Sequence, residues 1–97
     1  MQVDKKVFEK SKDAPSRFIE GKALIVMPAT STSYVLNETG ARAFELIDGK
    51  RSAKEIAAAV CNEFDVAEAR ARSDVLELLN RLEKEKIIFC KGGENGG

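Results

Sequence analysis

The sequence predicts an α+β domain in which a three-stranded antiparallel sheet is followed by three helices. Three observations predict it. Residues 16–36 form short β-prone runs divided by Gly21 and Pro28. From residue 37 the apolar residues change to spacings of three and four, the period of an amphipathic helix. The helical half also carries start signals at Asn37, at Ser52 with Glu55, and at Asp65 with Glu68. A sheet with one open edge packed on three helices is a winged helix-turn-helix-like architecture.

Residues 1–14 are mixed and charged, with only Val3, Val7 and Phe8 as bulky apolar anchors. They are expected to form a flexible arm that docks by those side chains. Phe18 and Ile19 mark a first strand over 16–20, and a second covers 22–27 up to Pro28. Glu20-Gly21-Lys22 between them has the composition of a hairpin turn. Small polar residues 29–32 lead to a third strand at 33–36, with the β-formers Tyr34 and Val35.

Asn37 is a good N-cap, and Leu36 just before it can staple onto the first turn of a helix that aligns Ala43, Phe44 and Ile47. Asp48-Gly49 ends that helix. The Ser52/Glu55 capping box opens a second helix with Ile56, Val60 and Phe64 on one stripe and Ala57 and Cys61 beside it. A second box, Asp65/Glu68, launches a third helix through about Glu85, with Val75, Leu78, Leu79 and Leu82 inward. Ile87-Ile88-Phe89 is a β-prone stub, able to join a sheet or pack on the helices. The domain is expected to span 15–91, and the Gly-rich tail 92–97 to be disordered.

Composition narrows the function. The chain has 97 residues, 43 % hydrophobic and 33 % charged, which suits one soluble domain. Sixteen basic residues balance 16 acidic ones, so there is no general attraction to nucleic acid or anionic membrane. Histidine is absent, which removes the usual proton shuttle and the commonest metal ligand. Cys61 and Cys90 lack CxxC spacing and read as two reduced thiols. The N-terminus has no apolar signal region, and the longest apolar run, 23–27, is too short to span a bilayer. A cytoplasmic location is expected.

No pattern supplies a nucleophile with a base, a metal site or a phosphate loop, so no enzyme and no cofactor are expected. The hydroxyls at 30–33 read as a polar turn, and Glu83 and Glu85 as members of a solvated, lysine-rich face. Two binding modes remain. One is strand addition, in which the exposed edge 33–36 pairs with an extended peptide and the third helix supplies the wall. The alternative is a winged-helix DNA-binding or transcription-regulating module. Arg70, Arg72 and Arg81 favour it, but Glu68, Asp74, Glu77, Glu83 and Glu85 share the same helix, so nucleic acid is the weaker choice.

Several segments together resemble a known family. They are Tyr34-Val35-Leu36-Asn37, Thr39-Gly40, Phe44-Glu45-Leu46-Ile47-Asp48-Gly49-Lys50-Arg51-Ser52, Glu55-Ile56, and the later run 74–82. Their order and spacing resemble PqqD-like proteins, the peptide chaperones of ribosomally made, post-translationally modified peptide pathways, over about residues 16–90. The resemblance implies a non-enzymatic, cofactor-free domain that takes the leader of a precursor peptide as an added strand. It implies a groove between the third strand and third helix, and delivery to a modifying enzyme, commonly a radical S-adenosylmethionine protein. Carried onto this chain, the edge is Ser33, Tyr34, Val35 and Leu36. Helical spacing selects Asp74, Leu78, Arg81 and Glu85 for the wall, Leu78 being shared with the core and Arg81 placed to meet an acidic leader residue. The open edge also permits a homodimer by strand pairing. Two positions depart from the family pattern: Lys86 stands where many members have Gly, and Phe44 where many have Trp.

Overall fold

The computed structural model describes residues 6–92. The expectations for residues 1–5, and for the tail from 93 onward, lie outside the described residues. The chain runs β1 (Val7–Lys10), β2 (Ser16–Ile19), β3 (Lys22–Met27), β4 (Thr32–Leu36), α1 (Glu38–Glu45), α2 (Ala53–Phe64), α3 (Glu68–Lys84) and β5 (Ile88–Gly92). The antiparallel sheet β2-β3-β4 and the three helices are those the sequence predicts.

The hairpin between β2 and β3 turns on Glu20 and Gly21, at φ 52° and 82°. Two consecutive positive φ values make a turn whose twist matches the flanking strands, and Gly21 takes that conformation without steric cost. The inner face of the sheet carries Ala23, Ile25 and Met27, all buried. Phe44 of α1 closes against this face, with its ring 6.5 Å from that of Phe18 and Lys10 Nζ 4.6 Å above it. Burial holds the Lys10 ammonium below its ordinary pKa. Ile56, Val60, Val75, Leu79 and Leu82 complete the core from α2 and α3.

A second sheet was not foreseen. β1 pairs antiparallel with β5, matching Phe8 to Cys90, Glu9 to Phe89 and Lys10 to Ile88. The segment expected to be a loose arm is thus an ordered strand from Val7 to Lys10. Phe8 does dock, being only 1 % exposed. Further bonds fasten the segment: Ser11 N–H donates to the Ile87 carbonyl at 2.9 Å, and Ala53 N–H to the Lys6 carbonyl at 2.9 Å. Of the two options for the terminal stub, both hold, since Ile87 and Ile88 are buried while 88–92 pair with β1.

The helix signals had mixed success. Asn37 Oδ1 accepts the Gly40 N–H at 2.9 Å. The Ser52/Glu55 box forms in both directions, at 2.8 Å and 3.2 Å. The Asp65/Glu68 box does not form. Asp65 instead closes α2 in the left-handed conformation, at φ 53° and ψ 45°, a region that Asp tolerates better than most residues. The N-cap of α3 is then Ala67, which offers no side-chain acceptor.

The end of α3 explains the Lys86 departure. Lys86 N–H donates to the Glu83 carbonyl at 3.0 Å, and Ile87 N–H to the Leu82 carbonyl at 2.9 Å. This pair of bonds is a Schellman closure, in which the residue after the C-cap is left-handed and usually glycine. Lys86 occupies that place at φ 65°. The closure turns the chain from α3 directly into β5.

Candidate functional site

The geometry of the β4 edge follows from one hydrogen bond. Val26 N–H donates to the Pro15 carbonyl at 2.9 Å, on the β2 side. Backbone groups alternate sides along a strand, so Ala23, Ile25 and Met27 face β4. Their partners are Leu36, Tyr34 and Thr32. The N–H and C=O groups of Ser33 and Val35 therefore point away from the sheet, along its open edge. Side chains alternate across the faces in the same register: Thr32, Tyr34 and Leu36 are half-buried toward the helices, whereas Val35 is 72 % exposed on the far face.

Beside this edge runs a groove whose other wall is α3. One section, of about 430 Å³, is lined by Val35, Leu36, Gly40, Val60, Asp74 and Leu78, among others. A smaller section of about 170 Å³ is lined by residues 33–36 with Leu78, Arg81 and Leu82. Val35, Leu36 and Leu78 belong to both. At the far end the Tyr34 hydroxyl donates to Glu85 Oε1 at 2.7 Å, tying the strand to the C-cap of α3. That bond holds the Tyr34 phenol above its ordinary pKa, while the positive charge of Arg81 acts in the opposite sense. The structure thus brings together all eight residues named from the sequence: Ser33, Tyr34, Val35, Leu36, Asp74, Leu78, Arg81 and Glu85.

Other lining residues were missed. Gly40, Ala43, Val60, Val66, Arg70, Ala71, Val75 and Glu77 also line the larger section. Gly40 carried a usable signal, because glycine inside a helix costs stability and suggests a close approach. A Cβ there would lie 3.2 Å from Asn37 Oδ1 and 3.7 Å from Leu78 Cδ2, at the base of the groove. Val60 and Val66 gave no such signal, since their place depends on how α2 meets α3.

Charge in the larger section is partly self-contained, with Arg70 Nε 3.3 Å from Asp74 Oδ2. Elsewhere Arg42 binds the framework: its Nε and Nη2 donate to Glu63 at 2.8 Å and 3.1 Å, and its Nη1 to Glu45 at 2.9 Å. Those bonds lift the Arg42 pKa and pull the Glu63 carboxyl below the ordinary range. Among the described residues no group of three or more His, Cys, Asp or Glu could hold a metal ion. No described helix is long and apolar enough to cross a membrane.

Comparison with known proteins adds the family. The model for "Coenzyme PQQ synthesis protein D (PqqD)" matches residues 22–88. The chain belongs to the PqqD family. The matched span runs from the start of β3 into β5 and includes both walls of the groove. No curated protein sequence matches the chain. Among solved structures, TbiB1 in complex with the TbiA(beta) leader peptide superposes with TM-score 0.73 at 22 % identity, covering 89 % of this chain and 98 % of that one. Lasso peptide synthetase B1 complexed with its leader peptide gives TM-score 0.73 at 16 % identity, with 84 % and 96 % covered. The PqqD truncation of Methylobacterium extorquens PqqCD, a stand-alone recognition element for ribosomally synthesised and post-translationally modified peptides, gives TM-score 0.68 at 20 % identity, with 91 % and 98 % covered. These likenesses show a shared fold, in keeping with the α+β topology above.

Proposed function

We propose that this PqqD-family protein is a non-enzymatic chaperone that binds the leader region of a ribosomally made precursor peptide. The peptide adds to the open edge of β4 and lies in the groove against α3. The domain then presents it, in the cytoplasm where precursors are synthesised, to a modifying enzyme of the radical S-adenosylmethionine class. The observation that carries this reading is the pair of outward-facing residues Ser33 and Val35 beside a groove of mixed apolar and charged lining. It is supported by family membership and by two fold relatives whose structures hold leader peptides.

Magnitudes define what each wall must do. Two outward residues supply at most four backbone hydrogen bonds, worth roughly 0.5–1.5 kcal/mol each. Association costs on the order of 4–15 kcal/mol in lost freedom. Backbone pairing alone therefore sets register and direction but cannot hold a peptide; side chains seated against α3 must supply the remainder.

The test is an amide-shift titration with the leader segment of the cognate precursor peptide. Shifts should fall on residues 33–36 and 74–85. Shifts confined to α2, or none at saturating peptide, would overturn the reading.

A further inference from the structure

The register of β4 constrains which side chains a bound peptide must carry. In an antiparallel addition, the peptide residues opposite Tyr34 and Leu36 lie on the same face as those side chains, toward α3. The residue opposite Leu36 enters the larger section, whose floor is Gly40, Ala43, Val60, Ala71 and Val75. At about 430 Å³ that section falls within the roughly 300–1,000 Å³ of small-ligand sites, so it has room for one large apolar side chain. The residue opposite Tyr34 enters the smaller section, where Arg81 is the charged lining residue.

Resting on the strand-addition reading above, we propose that the groove selects peptides with a large apolar residue followed two positions later by Asp or Glu, and that Arg81 reads the acid. The spacing is that of the two walls. Alternate residues of a strand are about 6.8 Å apart. Leu78, which lines both sections, lies about one helical turn, or 5.4 Å, from Arg81 and Leu82. The order is that of a peptide added antiparallel, as the neighbouring strands of this sheet pair, because such a peptide passes Leu36 before Tyr34. Other charges refine the choice. In the larger section Asp74 already holds Arg70 at 3.3 Å, and Glu77 is the other charged lining residue. The Glu85 carboxylate accepts from Tyr34 and lies one turn beyond Arg81. It repels an incoming acid and so weakens the attraction of Arg81.

The experiment pans a phage-displayed library of randomised linear dodecapeptides on the full chain, its Arg81→Glu variant and its Glu85→Gln variant. Arg81 and Glu85 are both exposed, and circular dichroism verifies that the variants fold. The full chain should enrich apolar-x-acidic sequences, and Arg81→Glu should enrich apolar-x-basic ones. For one enriched peptide made synthetically, replacing its acid by the amide should raise Kd by about two- to fivefold. Glu85→Gln, which keeps an oxygen for Tyr34, should tighten the acidic peptide. Enrichment of apolar peptides without an acid, an acid preference that survives Arg81→Glu, or the reversed order acid-x-apolar would overturn this proposal while leaving strand addition standing. Failure to enrich any peptide would overturn both.

Discussion

Replacing Lys86 by glycine should make this protein more stable, although it removes a side chain and adds backbone freedom. Lys86 is exposed and sits at φ 65° in the closure that ends α3. A residue with a Cβ in that region costs about 1–2 kcal/mol relative to the right-handed conformation. Glycine avoids the clash but loses more conformational entropy on folding, about 0.5–1 kcal/mol. The difference leaves Lys86→Gly ahead by about 0.5–1 kcal/mol. For a domain of this size that corresponds to a rise in Tm of about 2–8 °C. Lys86→Ala is the matched control: it also loses the ammonium group but keeps the Cβ, and should stay within about 0.5 kcal/mol of the parent. Thermal and urea unfolding followed by circular dichroism measure all three proteins. A Lys86→Gly variant that melts at or below the alanine control would refute the reasoning, because backbone strain would then not be what limits stability at this point.

Two further predictions concern the edge and the framework. Val35→Pro should leave the β3–β4 ladder intact and weaken leader binding by about three- to tenfold, the loss of one outward donor; Leu36→Pro, which removes an inward donor, should instead lower Tm sharply, and equal melting of the two variants would contradict the assigned register. The Glu63 carboxyl is depressed in the folded state by Arg42, so its ionised form stabilises the fold at neutral pH, and this contribution fades as pH falls below its unfolded value of about 4.5. Melting curves of the parent and Glu63→Gln should therefore converge as the pH is lowered through that window, and a gap that widened in acid would exclude the mechanism.

What could be read from the chain depended on how local each signal was. Asn37 and Ser52 cap their helices through partners three residues away, so both ends of each bond lie in one short window. Asp65 and Glu68 have the same spacing, yet the box fails because the preceding helix claims Asp65 for its own termination. That competition is settled by how α2 and α3 are joined, which a pattern of two residues does not contain. The β1–β5 pairing is the extreme case: Phe8 and Cys90 meet from opposite ends of the chain, and four residues are too few to show a strand period. The groove was more legible. Its strand wall is one continuous run and its helix wall has regular spacing, so eight residues could be named. Its floor was not, because Val60 and Val66 reach it only after the helices have assembled.

The pairing of Val7 with Gly92 has a practical meaning for how this unit can be wired to others. The first and last described strands lie side by side in the small sheet, whereas the open edge of β4 belongs to the other sheet. A short linker could join Val7 to Gly92, and new ends could be opened in the exposed Pro28–Ser31 turn to give a circular permutant. The domain could equally be inserted into a loop of a host protein as a cassette, leaving β4 unobstructed. Such a cassette would carry its recognition edge into any enzyme whose surface offers two neighbouring attachment points.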